Sequence, residues 1–227
     1  MAKPEITGFA WVPPFAQGLV REVRCRWAFE ELGLGYHVRL LEVGQNRTEA
    51  HRALQPFGQI PTYTDGTVEI FESGAIVLHI AQQKPGLLPG DPAGAASAIA
   101  WIFSALNSVE PLIFDRLWVD VFDRNEPYAD LFRPKATERL RDRLGNLSKA
   151  LGDKTWIVGV QFSAADLILI SVLRQLRDTD LVTEHPNLAA YVARGEARPA
   201  FRKALADHMA VFEGSKPPAW FTQGEKS

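Results

Sequence analysis

Over the first third of the chain, short strand-like apolar runs alternate with helical spacing. Ile6 to Trp11 is apolar with no polar alternation, which suits a strand buried on both faces. Pro13 and Pro14 stop it and oppose a helix directly after. Helical spacing resumes at about Gln17 and ends near Gly33 and Gly35, residue types that suit a left-handed C-terminal position. On a helical wheel Cys25, Ala28, Phe29 and Leu32 share one side, and Val20, Val23 and Trp27 share the other. Such a helix is sandwiched, here between a sheet and a second domain. Val38 to Val43 reads as the second strand. Thr62-Tyr63-Thr64, Asp65-Gly66 and Val68 to Phe71 predict a hairpin with a two-residue turn. Ser73 through Ala81 is a helix with Ile76, Val77 and Ile80 as its apolar positions. The order is βαβ, an irregular stretch, then ββα, which predicts a mixed sheet covered by helices.

Lys84-Pro-Gly-Leu-Leu-Pro-Gly-Asp-Pro92 concentrates turn formers and reads as a linker. Beyond it the strand signal nearly vanishes. Ala93 to about Asp123 is a long helical pattern broken or kinked at Pro111. Ala136 to Leu151 is amphipathic. Ser163-Ala-Ala-Asp166 is a capping signal, and Leu167 to Leu176 behind it is nearly all apolar, the buried centre of a helical domain. Two further helices follow, from Pro186 and from Arg198.

Composition narrows the function classes. The chain has 227 residues, 46% hydrophobic and 23% charged, ordinary values for one large or two small globular domains. A formal net charge of -2 leaves no electrostatic footprint for nucleic acid or an anionic membrane. No stretch reads as the roughly 18 apolar residues of a membrane span, and the first residues lack a signal-peptide run. The single cysteine, Cys25, forbids an internal disulfide and points to a reducing compartment. The five histidines have no metal-ligand spacing, and no phosphate loop or nucleophile elbow is present.

Candidate chemistry concentrates in Phe57-Gly58-Gln59-Ile60-Pro61 and Glu69-Ile70-Phe71-Glu72-Ser73. A cis bond before Pro61 turns the backbone N–H and C=O of Ile60 toward a ligand instead of a strand. The bland alternative is Pro61 opening an edge strand in trans. Ser73 at a helix start offers a hydroxyl and backbone N–H groups to a carboxylate. Glu72 accepts from an ammonium. Ordinary helix capping is the other reading of that pair, and it is compatible with ligand contact.

In this order the motifs resemble the glutathione transferase superfamily, in a bacterial-type form lacking the usual Tyr, Ser or Cys activator. Arg24-Cys-Arg-Trp-Ala-Phe-Glu-Glu-Leu-Gly33 is similar to the family's first helix, Ser163 to Asp166 to its N-capping box, and Pro186 to Tyr191 and Arg198 to Phe201 to its last helices. The resemblance implies an α+β thioredoxin-like N-terminal domain over 1–82, a linker over 83–92 and an all-α C-terminal domain over 93–227. It implies that Pro61 is cis, that the Ile60 backbone clasps the cysteinyl unit of glutathione, that Gln59 meets the glycyl carboxylate, and that Glu72 and Ser73 hold the γ-glutamyl end. The implied activity is conjugation or reduction of small apolar electrophiles, with a glutathione-dependent peroxidase side activity and a role in detoxification. Glutathione is then the co-substrate, with no other cofactor and no metal. A cytoplasmic homodimer is implied, with neither nucleic acid nor membrane as partner. The alternative is a non-catalytic glutathione-binding or protein-interaction module of the same fold. Trp101, Phe103, Phe114 and Trp118 would line the electrophile pocket, and they read equally as plain core.

A free thiol titrates near 8.5, so the family needs a group that stabilises the thiolate. Trp11 to Arg21 contains no Tyr, Ser, Thr or Cys. Val12-Pro-Pro-Phe-Ala-Gln17 looks like the Cys-Pro-Phe-Ala-Gln motif of omega-type members, with Pro13 in the cysteine's place. Cys25 lies in the middle of the helix and reads as a small buried hydrophobe. The substitutes left are backbone N–H groups over Phe15 to Gly18 at a helix N-terminus, the amide of Gln17 and the charge of Arg21. Arg174 and Arg177 are two further cations that end the central helix of the second domain.

Overall fold

The structure is a computed structural model, and it describes residues 3–215 and 217–218. Contacts divide the chain into two compact units, one made of residues 1–84 with 198–227 and the other of 85–197. The helix after Arg198 thus packs with the N-terminal unit rather than with the other helices.

The first unit is built on a four-stranded mixed sheet in the order β2-β1-β3-β4, with β1 at Glu5–Phe9, β2 at His37–Leu41, β3 at Thr62–Thr64 and β4 at Glu69–Phe71. β1 and β2 are parallel and the other pairings antiparallel. Helix α1 (Glu22–Leu32) crosses between the parallel strands and ends at Gly33, whose φ of +62° is the left-handed stop expected from sequence. Its start differs. The two prolines set a 3-10 turn over Pro14–Ala16, and Gly18 at φ +77° cannot join a right-handed helix, so α1 begins at Glu22 rather than near Gln17. The stretch that reads as irregular holds a short helix, α2 (Glu49–Leu54), capped by Thr48, whose hydroxyl accepts from His51 N–H. Six residues are too few for periodicity to reveal. The hairpin turn is two residues long as expected, but at Gly66–Thr67 rather than Asp65–Gly66: Asp65 N–H donates to Val68 C=O at 3.3 Å, and the Asp65 carboxylate accepts from both Thr67 and Val68 N–H. Helix α3 (Ser73–Gln83) packs on α1.

Both sides of α1 are buried: Cys25, Ala28, Phe29 and Leu32, and also Val23 and Trp27. The expected second-domain cover for the latter side is replaced by α9 (Pro199–Ala210), which belongs to the same unit. Trp27 meets Phe201 edge-on at 4.8 Å, and Arg198 grips Glu31 with two bonds of 2.6 and 2.7 Å. Burying that aromatic pair contributes a few kcal/mol of the helix's docking, on the order of 1.5–3 per large apolar side chain.

In the second unit, residues 85–197, the regular elements are helices joined by loops, with one isolated β-bridge between Trp156 and Gly159. α4 (Pro92–Ser104) runs through a π-helical turn at Ala105–Val109 into α5 (Glu110–Val121). Pro111 lies in the first turn of α5, and the widened turn before it absorbs its missing N–H. The whole stretch Pro92–Val121, 30 residues, is long and apolar enough to cross a membrane by composition. This corrects the sequence expectation. The segment is rich in alanine rather than in long aliphatic residues, so it escapes notice as an apolar run. Length and composition alone do not make it a span, since a core helix of a globular unit passes the same test. α6 (Ala129–Leu151) starts earlier than Ala136 and carries Pro134 in its second turn, where the helix forgoes one backbone hydrogen bond. α7 (Ala164–Leu173) is the buried centre, continued by a 3-10 turn over Arg174–Leu176, and α8 (Pro186–Glu196) packs on it.

Asp166 anchors this unit. It is fully buried, and its two oxygens accept from Ser163 N–H and O–H, Ile157 N–H and Tyr191 O–H at 2.7–2.9 Å. Burial nevertheless holds its carboxyl above the ordinary value. Asp166→Ala strands these buried donors at about 1–3 kcal/mol each. The expected loss is on the order of 3 kcal/mol or more, read as a fall in the urea midpoint followed by the fluorescence of neighbouring Trp156. An unchanged midpoint would remove Asp166 from its anchoring role.

Candidate functional site

The register of β3 on β4 builds the site. Thr62 pairs with Phe71, the last pair of the ladder. Pro61 and Glu72 flank that pair in sequence, so the two sequence motifs meet at the open end of a hairpin. The Ile60-Pro61 bond is cis. Thr62 N–H does not continue the ladder but donates to Thr7 Oγ1 at 2.7 Å. Among the described residues no hydrogen bond uses the backbone N–H or C=O of Ile60, a buried residue.

The peptide groups just before Ile60 are held by side chains. Asn46 Nδ2 donates to Gly58 C=O at 2.6 Å, Gln59 N–H donates to Gln55 Oε1 at 3.0 Å, and His51 Nε2 donates to Gln59 C=O at 2.7 Å. Gly58 has φ +67°, and a Cβ there would lie 2.9 Å from Asn46 O, so only glycine fits. His51 and Gln55 are buried and the Gln59 side chain is exposed. Asn46, His51 and Gln55 thus shape the clasp loop. Sequence spacing does not single them out because they sit in the segment without periodicity.

Across the hairpin, Glu72 has φ +70° and is the non-glycine residue with positive φ among the described residues. Such a conformation costs on the order of 1–3 kcal/mol and marks a place where the surroundings dictate the backbone. It lets β4 turn directly into α3, with Glu72 exposed and Ser73 buried. Arg24 Nη1, from α1, donates to Ser73 Oγ at 3.1 Å. With the oxygen accepting from a guanidinium, the hydroxyl proton is left to donate outward, beside the first N–H groups of α3. Arg24 is itself a buried residue. The sequence does carry a signal for it: a helix apolar on both sides has no solvent face for a charge.

The segment 12–21 differs from its expected form. It is a loop with one 3-10 turn, and its backbone donors are largely engaged: Ala16 N–H with Pro13 C=O, Gln17 N–H with Pro14 C=O and Gly18 N–H with His208 Nε2 at 3.0 Å. An α-helical N-terminus is not formed there, which corrects the expectation of helix-end donors over Phe15 to Gly18. Gln17 Nε2 donates to Val12 C=O at 3.3 Å. Phe15 is half exposed, and Gln17 and Arg21 are half-buried.

Other candidates fall elsewhere. Arg174 is buried in a 2.7 Å pair with Glu196, and Arg177 lies 3.6 Å from Asp178. Phe103, Phe114 and Trp118 are exposed rather than core. Among the described residues no cluster of His, Cys, Asp and Glu is arranged to hold a metal.

Residues 16–82 match the family model for the glutathione S-transferase N-terminal domain, and residues 115–208 the model for its C-terminal domain. A glutathione S-transferase-like protein, OpS6, of Beauveria bassiana is 31% identical over 80% of this chain and 88% of its own. Glutathione S-transferase 4 of Zea mays is 28% identical over 95% of this chain and 98% of its own. Among solved structures, a glutathione transferase of Burkholderia graminis, described with two glutathione molecules bound per subunit, superposes with a TM-score of 0.79. It is 26% identical, and the match covers 89% of this chain and 87% of that one.

Cys25 is fully buried in α1, and burial, followed by the charge of Glu22, pushes its thiol well above the ordinary range. Its expected behaviour is that of an inert core residue. In the native protein a disulfide-exchange reagent should find no reactive thiol, and after denaturation one per chain. Rapid labelling of the folded protein would contradict this placement.

Proposed function

The chain belongs to the glutathione S-transferase family, and from that premise we propose that it binds glutathione and uses it to conjugate or reduce small apolar electrophiles. The observation that carries this reading is the Thr62–Phe71 register, which brings Ile60-Pro61 and Glu72-Ser73 to one end of the hairpin, where Arg24 supports the Ser73 hydroxyl. In the proposed complex the N–H and C=O of Ile60 pair with the cysteinyl backbone, with Pro61 fixing their direction. The γ-glutamyl ammonium meets Glu72. Its carboxylate accepts from Ser73 Oγ and the first N–H groups of α3, within the field of Arg24. Gln59 reaches the glycyl carboxylate.

The thiol then lies toward the loop 12–21, where Phe15, Gln17 and Arg21 are the proposed surroundings of the sulfur. No hydroxyl is available from residues 11–21, so stabilisation of the thiolate falls to the Gln17 amide and the positive charge of Arg21. The exposed aromatics of the helical unit, Phe103, Phe114 and Trp118, are the proposed apolar surface for the electrophile. Reduction, including a peroxidase side activity, gains support from the Burkholderia graminis structure with its two glutathiones per subunit: reduction consumes two thiols to make one disulfide. The proposed setting is the cytoplasm, with detoxification as the role and no other cofactor. A second reading is favoured by the missing hydroxyl, namely a module that binds glutathione without turnover.

Ser73→Ala removes a hydrogen bond to a charged group, worth about 1.5–3 kcal/mol. Glutathione affinity should fall roughly ten- to a hundredfold by titration calorimetry, and Glu72→Gln should weaken it too. Two variants that bind like the parent would place the site elsewhere. Conjugation of a chlorodinitrobenzene by the parent protein separates the two readings, because binding without turnover selects the module.

The proposed assembly is a homodimer about a two-fold axis. Since one chain has a mass of 25.2 kDa, light scattering at micromolar concentration should report about twice that value. A monomer mass would overturn this part of the proposal.

A further inference from the structure

We infer that His208, on the last helix, is a positioning residue for the loop 12–21; this rests on the proposed function, in which that loop faces the glutathione thiol. His208 is fully buried, and its ring is fixed from three directions. Nε2 accepts from Gly18 N–H at 3.0 Å, Nδ1 lies 2.7 Å from Glu22 Oε1, and Phe212 stacks edge-on at 4.9 Å. An imidazole nitrogen that accepts from an N–H carries no proton of its own. The ring proton therefore sits on Nδ1 and donates to the Glu22 carboxylate, so tautomer and ring orientation are set together.

Glu22 is as deeply buried as the histidine it holds. Room for it comes from Gly8 in β1, where a Cβ would lie 3.4 Å from both Glu22 Cγ and Oε1 and 3.2 Å from Val38 Cγ1. Arg26 Nε stands 3.9 Å from the same Oε1, which keeps the local charge near balance. The sheet, α1 and α9 thus converge on one imidazole, and that imidazole grips a backbone amide 190 residues away in sequence.

The bond does more than satisfy a donor. Ala16 and Gln17 N–H close turns within the loop, which fix its local shape but not its placement. Gly18 N–H belongs to the Gln17–Gly18 peptide, so the bond to His208 sets that peptide plane relative to α9. The plane in turn sets the direction in which the Gln17 side chain leaves the backbone. Gly18 at φ +77° is the pivot that permits this orientation. The post itself is stiff, because α9 is clamped to α1 through Arg198–Glu31 and Trp27–Phe201. Removing the acceptor lets the loop shift without touching Ile60, Glu72 or Ser73. Capture of glutathione and activation of its thiol are then separable, and His208 acts on the second.

The test compares the parent with His208→Leu, which keeps bulk and loses both nitrogens, and His208→Gln, whose amide again offers one acceptor and one donor. Expected for His208→Leu are a glutathione affinity within about threefold of the parent, a kcat lower by about ten- to a hundredfold as for small misplacements near a reacting atom, and an ultraviolet thiolate titration of bound glutathione displaced to higher pH. His208→Gln should recover most of kcat. An unchanged kcat and thiolate titration in a folded leucine variant would overturn the inference. So would affinity and kcat falling together in both variants, the pattern of a merely structural residue.

Amide exchange at Gly18 supplies a readout free of turnover: slow in the parent, fast in His208→Leu, slow again in His208→Gln. Fast exchange in the parent overturns the bond itself. If the leucine variant does not fold, a glutamine variant with full kcat but an unprotected Gly18 amide overturns the inference, and one with both retained supports it. A parent that binds no glutathione ends the proposed function. The Gly18 exchange and the amide shifts of Phe15 to Leu19 still decide whether His208 places the loop.

Discussion

Helix α1 leaves only Glu30 and Glu31 partly open to water, and the site follows from how its buried charges are accommodated. The sheet and α3 cover one side and α9 the other, yet the sequence places Glu22, Arg24 and Arg26 within this buried helix. A charge taken out of water is tolerated only with partners of its own. Two of the partners connect to the proposed site. Arg24 ends on Ser73, at the start of α3, and Glu22 ends on His208, which holds Gly18. A packing requirement in the core thereby sets both ends of the proposed glutathione cradle. The buried charges act as struts between the scaffold and two surface loops.

The same constraint explains what apolar spacing reveals and what it hides. Two apolar sides on the helix holding Cys25 and Trp27 announce a sandwiched element, and the mixed sheet, the hairpin, the stop at Gly33 and the cap at Ser163 and Asp166 are all legible because each rests on a local pattern. The meeting of the Pro61 and Glu72 motifs at one end of the hairpin is legible too, since a short hairpin brings its own ends together. Contacts between distant segments are not. Nothing near Gly18 announces a partner at position 208, and nothing in α9 announces that its aromatic face covers α1. The start of α1 escapes for a related reason: helical spacing continues upstream through Val20, but the left-handed Gly18 stops the helix, and a glycine's φ is not written in its neighbours. Asn46, His51 and Gln55 escape because they bond to backbone, and such bonds leave no periodic trace.

A division of labour runs through the first unit. Residues that shape the proposed site are held by hydrogen bonds to buried side chains, as Gly58 and Gln59 are by Asn46, Gln55 and His51. Ile60, proposed to touch ligand, keeps its backbone N–H and C=O out of such internal pairs among the described residues. Preorganisation of this kind lowers the ordering cost of binding. It also locates strain where it is useful, at Glu72, whose positive φ is imposed by the junction of β4 and α3.

With no hydroxyl between Trp11 and Arg21, electrostatics has to replace a specific donor in the proposed chemistry. A thiolate beside a hydroxyl gains one short hydrogen bond whose value depends steeply on geometry. A thiolate beside guanidinium charges gains a Coulomb term that falls only as the inverse of distance, and burial spares that term from salt screening. Arg24 is buried, and Arg21, one helical turn before it, is half-buried. In the proposed complex their charges act on the thiolate without either side chain having to touch the sulfur. Such a field lowers the thiol's pKa broadly and tolerates an electrophile of variable shape, whereas a single donor dictates where the sulfur must sit. Placement then has to come from the loop, and the peptide held by His208 is a part of the loop that the core orients.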